Sequence, residues 1–358
     1  MPTHIKIIAD ASLPSLSALF PPPFVITPYQ NPAQLPDLLA NQEILLCRST
    51  LQVDAKLLAN SSIKCVATAS SGTDHIDGTY LTQHNIRLFD ARGTNARAVA
   101  DYVVATLAAL HPIEKPIGTL AGVIGVGEVG SRVVARLLAA GYHVICFDPL
   151  KAQHDARYAY CTLMDLTACD VLCIHANLHE SAPYPSRHLL NAAFLAQLKS
   201  GVTIINAARG GIIDEEALLT STKPITYCTD VYSGEPAVDP RIVNFSTVCT
   251  PHIAGHSIEA KHGAVLHVSQ QLHQHYGLTA PPACAPLLNT LAVAPSEKNW
   301  QAFVLNLYNP LTETHLLKTA ANKQIAFLTQ RTAHQHRHDF NCYEVHGLKQ
   351  KTRLLIGN

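Results

Sequence analysis

Apolar residues along this chain are grouped in short runs that alternate with longer amphipathic stretches. Near the start, runs at Ile5–Ala9, Ile44–Cys47 and Ile63–Thr68 predict strands separated by helices or loops. A second series begins after Gly118, with strands expected near Val123–Gly125, His143–Phe147, Val171–His175, Val202–Asn206, Ile225–Asp230 and Thr247–Thr250. This alternation is typical of parallel sheets covered by helices, so we expect an α/β fold.

Two longer stretches with helical periodicity accompany these series. Apolar spacing predicts a helix over Ala96–Leu110, which ends before Pro112. A second long helix is expected over about Ser257–Tyr276, with Gly277 ending it. The periodicity changes after Pro281-Pro282, and we interpret the residues beyond as a distinct tail.

A glycine-rich turn follows the first strand of the second series, with the sequence Gly125-Val126-Gly127-Glu128-Val129-Gly130. In such a turn the first glycine permits a sharp bend, the second lets a pyrophosphate approach the backbone, and the third lets helix and strand pack closely. The helix start directs its free amides and the positive end of its dipole toward the phosphates. Asp148 ends the next strand, where a carboxylate binds ribose hydroxyls and repels a 2′-phosphate. The pattern therefore predicts a site for NAD rather than NADP.

Three polar residues near the ends of later strands form a set suited to hydroxy-acid oxidation: Arg209, Glu235 and His252. The guanidinium fork of Arg209 can hold a substrate carboxylate or the C2 oxygen through paired hydrogen bonds. A histidine exchanges protons near neutral pH, so His252 is the expected general base in oxidation and the acid in reduction. Glu235 is expected to orient the imidazole and stabilise its charged form. Each residue also has an ordinary structural explanation, but their position beside a dinucleotide site favours catalysis.

Composition narrows the possible partners. The formal net charge is zero and no long basic run occurs, so neither nucleic acid nor an anionic membrane is an expected partner. The start lacks the regions of a signal peptide, and no apolar run reaches membrane-spanning length.

The ten cysteines include no C-x-x-C pair, so neither a zinc ribbon nor a thioredoxin-like redox site is predicted. We therefore expect the protein in a reducing cytoplasm. His334, His336 and His338 alternate as metal ligands on a strand do, but a solvated histidine-rich surface is favoured and no metal is predicted.

Four motifs, taken in order, make the chain similar to a known family. They are the glycine-rich turn, Asn206-Ala207-Ala208-Arg209-Gly210, Asp230-Val231-Tyr232-Ser233-Gly234-Glu235-Pro236 and Thr250-Pro251-His252-Ile253-Ala254-Gly255. On these motifs the chain resembles the D-isomer-specific 2-hydroxyacid dehydrogenases. It is most similar to the branch that oxidises a phosphorylated four-carbon hydroxy acid in pyridoxal 5′-phosphate biosynthesis, on three further features: the loop 182–189, Ile258-Glu259-Ala260-Lys261, and the tail residues Phe327, Arg331, Arg337 and Phe340.

The resemblance implies a particular domain arrangement. A Rossmann-type doubly wound nucleotide domain, 96–255, is inserted into a flavodoxin-like lid domain, 1–95 with 256–282, and the active site lies in the cleft. Residues 283–358 form a small α+β C-terminal dimerisation domain. We expect a homodimer, because the apolar stretches Phe303–Tyr308 and Leu354–Ile356 are too short for an independent core and pairing would bury them. Whether Arg337 reaches the active site of the other subunit is left open.

The resemblance also assigns binding residues. It implies cofactor contacts at Asp148 and at four further positions: Ala207, Ala208, Asp230 and Gly255. It implies substrate contacts at Ser49 and Ser70, whose hydroxyls and loop amides suit a phosphate. To these we add Arg48 as a phosphate partner, because a neutral protein needs a local cation there.

Two departures from the family pattern bear on binding. Ala176 stands in His175-Ala176-Asn177 where the family has Thr-Pro, so a hydroxyl contact to the cofactor is missing. His256 stands where the family has tyrosine, in a position that contacts substrate. Two alternatives stay open. One is another 2-hydroxyacid dehydrogenase, acting on 3-phosphoglycerate, glycerate or hydroxypyruvate, and the other is a non-catalytic NAD-sensing binding protein. The tail lacks the glycine-rich turns of the regulatory βαββαβ domain that phosphoglycerate enzymes often carry, which weakens the first alternative. The catalytic residues are present, which weakens the second. We therefore favour oxidation of the phosphorylated four-carbon hydroxy acid.

Overall fold

The computed structural model describes residues 4–110, 118–282, 299–343 and 350–357. By compactness the chain divides into two units. Unit 1 comprises residues 1–95 and 257–287, and unit 2 comprises residues 96–256 and 288–358.

Regular elements alternate along both units. The strands are β1 (Ile5–Asp10), β2 (Phe24–Tyr29), β3 (Ile44–Cys47), β4 (Cys65–Thr68), β5 (Arg87–Asp90), β6 (Leu120–Ile124), β7 (His143–Phe147), β8 (Val171–Ile174), β9 (Val202–Asn206), β10 (Ile225–Thr229) and β11 (Val248–Cys249). The helices are α1 (Leu16–Leu19), α2 (Leu35–Leu38), α3 (Ala55–Leu58), α4 (Gly78–Gln83), α5 (Ala96–Leu110), α6 (Glu128–Ala140), α7 (Ala192–Leu195), α8 (Glu215–Leu219), α9 (Pro240–Phe245), α10 (Ile258–His275), α11 (Trp300–Leu307), α12 (Leu311–Thr319), α13 (Lys323–Ala333) and α14 (Gln350–Leu355).

The sheet of unit 1 has five parallel strands in the order β2-β1-β3-β4-β5. This is the flavodoxin order, as the resemblance implied. The sequence prediction missed β2 and β5, the two edge strands. In β2 only Phe24 and Tyr29 are buried, and Pro28 interrupts the pattern. Edge strands lack the continuous apolar run that marks a strand buried on both faces.

Helix α10 packs against this sheet. Ser257 caps its start, since the Ser257 Oγ accepts a hydrogen bond from the amide of Ala260 at 3.0 Å. Its buried face carries Val265, Val268 and Leu272, which belong to one core cluster with the apolar residues of β1, β3 and β4. This packing joins residues after 257 to the first 95 residues of the chain.

The sheet of unit 2 has six parallel strands in the order β11-β10-β9-β8-β6-β7. Chain order reverses at β6, which lies between β7 and β8. In doubly wound folds a ligand binds at the carboxyl ends of the strands at such a switch point. The glycine-rich turn after β6 and the segment after β8 meet there.

The described part of the tail consists of helices α11 to α14 and a 3₁₀ turn at Phe340–Cys342. The strands implied by an α+β tail are not among these elements; residues 283–298 and 344–349 lie outside the described residues. The tail packs within unit 2, where Phe303, Val304 and Leu355 share a buried cluster with Tyr102 and Val104 of α5. The interpretation that Phe303–Tyr308 and Leu354–Ile356 need a partner for burial is therefore wrong for most of these residues. A surface of the same chain covers them.

Buried ionic contacts reinforce this docking. Arg136 of α6 forms a fully buried ion pair with Asp101 of α5 and donates a hydrogen bond to the Leu355 carbonyl at 2.8 Å. The second carboxylate oxygen of Asp101 accepts from the amide of Phe340 at 2.8 Å. These bonds anchor the C-terminal part of the described tail, at Phe340 and Leu355, to helices α5 and α6.

Candidate active site

The glycine-rich turn shows why each glycine is needed. Gly125 has φ 83°, and a Cβ there would lie 2.7 Å from the amide nitrogen of Ala176. A Cβ on Gly130 would collide with the carbonyl oxygen of Gly125. A Cβ on Gly127 would meet no protein atom within 4 Å. Protein packing thus requires glycine at the first and third positions, whereas at the second it leaves an open space beside the backbone. That space is what a bound pyrophosphate requires.

The helix that begins at this turn is regular and well ended. Gly127 occupies its N-cap, and Gly141 ends it in the left-handed conformation with φ 100°. Glu128 is exposed and pairs with Arg132 one turn later at 2.9 Å, while Val129 packs against the core. The first amides of α6 have no partner within the helix, and they follow directly after Gly127.

Asp148 lies at the end of β7, beside the turn. Its Oδ2 accepts a hydrogen bond from the amide of Val126 at 2.9 Å, and its Oδ1 accepts from the amide of Lys151 at 3.1 Å. These bonds hold the carboxylate next to the dinucleotide turn, where it can meet ribose hydroxyls. Lys151 also donates to the Val126 carbonyl. No pattern in the sequence indicates this lysine, because its contact depends on the fold of the turn.

The segment after β8 forms the other wall of the switch point. The amide of His175 donates to the carbonyl of Ile124 at 2.7 Å, which extends the pairing of β8 with β6. Both ring nitrogens of His175 are buried without a hydrogen-bond partner, and burial lowers the pKa of this imidazole to about 3. The side chain is therefore neutral. The backbone of Ala176 lies directly beside Gly125, so the position where the family has a threonine borders the dinucleotide turn.

His252 and Glu235 are in direct contact. The Nδ1 of His252 lies 2.6 Å from Oε2 of Glu235, and the two side chains are 31% and 22% exposed. Glu235 Oε1 also accepts from the amide of Tyr232 at 2.8 Å. Burial opposes ionisation of Glu235, but the imidazole and these hydrogen bonds outweigh it and lower the pKa of the carboxyl group. An ionised Glu235 bound to Nδ1 leaves Nε2 as the ring nitrogen that can exchange a proton with a ligand.

The backbone of His252 is held in an unusual conformation. Its φ is 54°, in the left-handed region, which costs a non-glycine residue about 1–3 kcal/mol. The side chain of Asp230 organises this loop, since its Oδ1 accepts from the amide of Ile253 and its Oδ2 from the amide of Ala254, both at 2.8 Å. Thr250 donates a further bond to Oδ1 at 2.7 Å. Asp230 is 1% exposed, so in this structure its carboxylate supports the His252 loop. A cofactor contact of Asp230 stays a prediction.

The turn that carries Arg209 is adjacent to the Glu235 turn. Asn206 holds it from within, by accepting from the amide of Ala208 at 3.2 Å and donating to the carbonyl of Arg209 at 3.1 Å. The Arg209 guanidinium donates to the Ala208 carbonyl at 2.7 Å. A Cβ on Gly210 would collide with the Tyr232 carbonyl, so the two turns touch through their backbones. Ala207 is half-buried at the start of this turn.

Gly255 and His256 complete the loop after His252. The amide of His256 donates to the carbonyl of Ile253 at 2.9 Å, which closes a turn with Gly255 at its third position. His256 is half-buried. A substrate contact of His256 stays a prediction.

Within unit 1, two predicted substrate residues meet. The amide of Ser49 donates to the Oγ of Ser70 at 3.0 Å, beyond the ends of β3 and β4. Arg48 forms an ion pair with Asp10 at 2.8 Å, with its side chain 43% exposed. Burial works against ionisation of Asp10, but hydrogen bonds from Ser12 and Arg48 lower its pKa. The charge of Arg48 is thus partly compensated by Asp10, which weakens the argument for Arg48 as a phosphate partner.

The alternating histidines of the tail do not form a strand. His334 lies 3.2 Å from Glu313 through Nδ1, His336 is exposed, and His338 packs edge-on against Tyr343. The described ranges contain no cluster of three or more histidine, cysteine, aspartate or glutamate side chains suited to a metal ion. The interpretation as a solvated surface is therefore correct for His336 but not for its two half-buried neighbours.

Comparison with known proteins gives the family. Residues 104–254 match the model for the D-isomer specific 2-hydroxyacid dehydrogenase, NAD binding domain. The erythronate-4-phosphate dehydrogenase of Legionella pneumophila (strain Lens) is 51% identical over 343 residues, which cover 95% of this chain and 96% of that protein. The enzyme of the same name from Coxiella burnetii (strain RSA 493 / Nine Mile phase I) is 34% identical and covers 95% of each chain. This chain belongs to the D-isomer-specific 2-hydroxyacid dehydrogenases.

The similarity extends to solved structures. The NAD-bound 3-phosphoglycerate dehydrogenase of Entamoeba histolytica superposes with a TM-score of 0.63 at 20% identity, covering 78% of this chain and 99% of that one. At that identity the likeness concerns the fold, and it confirms the predicted α/β class. Membership of the family makes the chain an NAD-dependent dehydrogenase that acts on a small hydroxy acid. Among the described residues, no helix has the length and hydropathy needed to cross a membrane.

The residues of the dinucleotide turn fit the cofactor of the family. Gly127 leaves open space beside the backbone at the start of α6, and Asp148 holds a carboxylate beside the turn, where the ribose hydroxyls are predicted to bind. NAD, when bound, supplies the acceptor for a hydride.

Proposed function

We propose that this protein oxidises 4-phospho-D-erythronate to 3-hydroxy-2-oxo-4-phosphooxybutanoate, as a step of pyridoxal 5′-phosphate biosynthesis. The observation that carries the proposal is the 2.6 Å contact between His252 and Glu235 in the unit that contains the NAD-binding turn. The name shared by relatives at 51% and 34% identity supports this substrate.

In the proposed reaction the chain handles one proton. His252 accepts the proton of the C2 hydroxyl at Nε2, while the C2 hydrogen leaves with its electron pair and the C2–O bond becomes a carbonyl. Glu235 stabilises the imidazolium that forms, because an ionised carboxylate at Nδ1 favours the charged ring. Arg209 holds the substrate carboxylate through its guanidinium fork and thereby orients C2.

The phosphate end of the substrate is assigned to unit 1. The amide of Ser49 donates to the Oγ of Ser70, which leaves the hydroxyl hydrogen of Ser70 to donate to a phosphate oxygen. Arg48 adds positive charge, although its ion pair with Asp10 partly compensates that charge. His256 takes the position of the family's tyrosine and is proposed as a further substrate contact.

We also propose a homodimer built on the outer faces of α12 and α13. Four large apolar side chains on these helices are 40–63% exposed: Leu311, Leu316, Ile325 and Leu328. Leu316 and Ile325 line the same surface depression, and exposed apolar surface of this kind is typical of a protein interface. The dimer therefore rests on this surface and not on the apolar stretches that the sequence analysis selected. We also propose a reducing, cytoplasmic location, because the ten cysteines of the sequence include no C-x-x-C pair.

The decisive experiment is a substrate panel. Purified protein is assayed by NADH absorbance with 4-phospho-D-erythronate, 3-phospho-D-glycerate and D-glycerate, each with NAD and separately with a 2-oxo acid acceptor in case NADH stays bound. We expect a clear preference for 4-phospho-D-erythronate. Preference for another acid would retain the chemistry and reject the proposed pathway. No turnover with any of them would favour the sensing role.

A further inference from the structure

Three side chains of the tail contact the segment that carries His252. Thr314 of α12 accepts a hydrogen bond from the amide of Cys249 at 3.0 Å. Arg331 of α13 donates to the carbonyl of His252 itself at 2.9 Å. Arg337 donates to the carbonyls of Ala254 and, at 3.1 Å, Ala98. The backbone is thus held by the tail before, at and after the histidine.

Helix α13, which carries Arg331, also contacts the turn that carries Glu235. Phe327 lies one turn before Arg331, on the same face of α13. Its ring packs edge-on against Tyr232, with centroids 6.0 Å apart. Tyr232 in turn donates its amide to Glu235 and its hydroxyl to the Thr250 carbonyl at 3.1 Å. One helix face therefore contacts both turns whose side chains form the histidine–carboxylate pair.

The hydrogen bond from Arg331 is accepted by the carbonyl of His252, the residue of this loop with a strained backbone conformation. His252 has φ 54°, and its carbonyl points toward the guanidinium in that conformation. A hydrogen bond from a charged donor is stronger than one between neutral groups. Loss of it would let the backbone relax toward the β region and change the direction of the imidazole.

We propose that Arg331 is a positioning residue for the His252–Glu235 pair, and that the tail is part of the catalytic unit of its own chain. This inference rests on the proposed role of the pair in proton transfer. It assigns the tail a task that is separate from dimerisation, because Arg331 and Phe327 face the core whereas Ile325 and Leu328 face outward.

The charges around the pair suit this role. Glu235 is faced by the imidazole of His252, by the carboxylate of Glu215 and by the guanidinium of Arg331. The buried carboxylate of Asp230 faces His252 from the other side. Burial raises the pKa of Glu235, His252 is the main influence that lowers it, and Arg331 adds to the lowering. Replacing Arg331 by a neutral residue is therefore expected to raise that pKa.

The test compares Arg331→Met and Arg331→Lys with a matched control, Lys323→Met. Lys323 lies on the same helix and donates to the carbonyls of Lys318 and Ala320, away from the His252 loop. For Arg331→Met we expect kcat to fall by roughly 10²-fold with little change in KM for NAD, as for other losses of orientation. The acidic limb of its pH profile should move to higher pH, because Glu235 becomes protonated earlier. Arg331→Lys should restore most of that limb, and Lys323→Met should change neither quantity.

A second readout does not depend on turnover. In protein labelled with ¹⁵N-histidine, the His252 ring signals are assigned by their loss in His252→Ala. Arg331→Met should alter their shifts and pH titration, while Lys323→Met should not. Unchanged signals and an unchanged pH profile in a folded Arg331→Met protein would overturn the proposal, as would equal effects from both variants. If Arg331→Met does not fold, the pH profile of Arg331→Lys decides, and a profile identical to wild type overturns it. Altered ring signals in a protein that oxidises no substrate would instead reject the proposed function alone.

Discussion

At the scale of single residues, the geometry of His252 and Glu235 determines what each can contribute. Glu235 bonds Nδ1 and its pKa is lowered, so the carboxylate is ionised at neutral pH. Nε2 is then the nitrogen for proton exchange. Neither residue belongs to the glycine-rich turn that is predicted to bind the dinucleotide, and their loss should therefore affect chemistry and cofactor binding differently.

His252→Ala should lower kcat by roughly 10²–10⁴-fold, because it removes the general base. NADH affinity should remain within a few-fold of wild type, since the glycine-rich turn is untouched. Steady-state kinetics and a fluorescence titration with NADH measure the two effects. The exposed His336→Ala is the control and should alter neither. Parallel loss of turnover and NADH binding would indicate a structural role for His252.

Glu235→Gln tests the ionisation of the carboxyl group through stability. Because its folded-state pKa lies below the ordinary value of 4.5, ionised Glu235 adds stability above that value and loses it as the pH falls through the folded pKa. The free energy of unfolding of wild type should therefore exceed that of Glu235→Gln most at neutral pH. The difference should shrink on acidification, as measured by urea unfolding at several pH values. A difference independent of pH would contradict the assigned charge.

At the scale of elements, two glycines near the start of α6 have different roles, one in packing and the other in cofactor binding. Gly130 is required because the helix passes against the Gly125 carbonyl, whereas Gly127 faces open space. The two glycines lie three residues apart in the same turn, so each serves as the control for the other.

Gly130→Ala should destabilise the protein by about 1–3 kcal/mol through overpacking. Gly127→Ala should leave the free energy of unfolding nearly unchanged and weaken NADH binding by roughly tenfold or more, because its methyl group enters the space for the pyrophosphate. Urea unfolding without cofactor and an NADH titration measure the two quantities. Equal destabilisation by both changes would mean that the second glycine also serves packing.

At the scale of the whole molecule, the tail has two faces with different tasks. Its inner face packs on α5 and on the core of unit 2 through Phe303, Leu317 and Phe327. Its outer face exposes Ile325 at 63% and Leu316 at 51%. The inner face explains why the tail folds with its own chain, and the outer face is the proposed dimer surface.

Ile325→Asp should convert the dimer to a monomer at micromolar concentration, because it places a charge in an apolar interface. Light scattering coupled to size exclusion measures the mass. Leu138→Asp, which replaces an apolar residue 56% exposed on α6, is the matched control and should remain dimeric. A wild-type protein that is monomeric under the same conditions would remove the basis of the dimer proposal.

Much of the fold follows from local patterns in the sequence. The limits of β3, β7, β9 and α5 agree with the prediction, and α10 differs by one residue at each end. These elements have continuous apolar runs or clear helical periodicity, which depend only on neighbours in the chain. The edge strands β2 and β5 lack such runs and were missed.

The sequence by itself determined which functional motifs are present and their order along the chain: a glycine-rich dinucleotide turn, then Arg209, Glu235 and His252 near the ends of later strands. Only the tertiary structure decided how these residues are held. It pairs Arg48 with Asp10, buries Asp230 beneath the His252 loop, and brings Arg331 to the His252 carbonyl across 79 residues of chain. Glycine and strand patterns reflect backbone conformation, which is local. The partner of a long side chain depends on which distant segments pack together, and no spacing in the sequence encodes that directly.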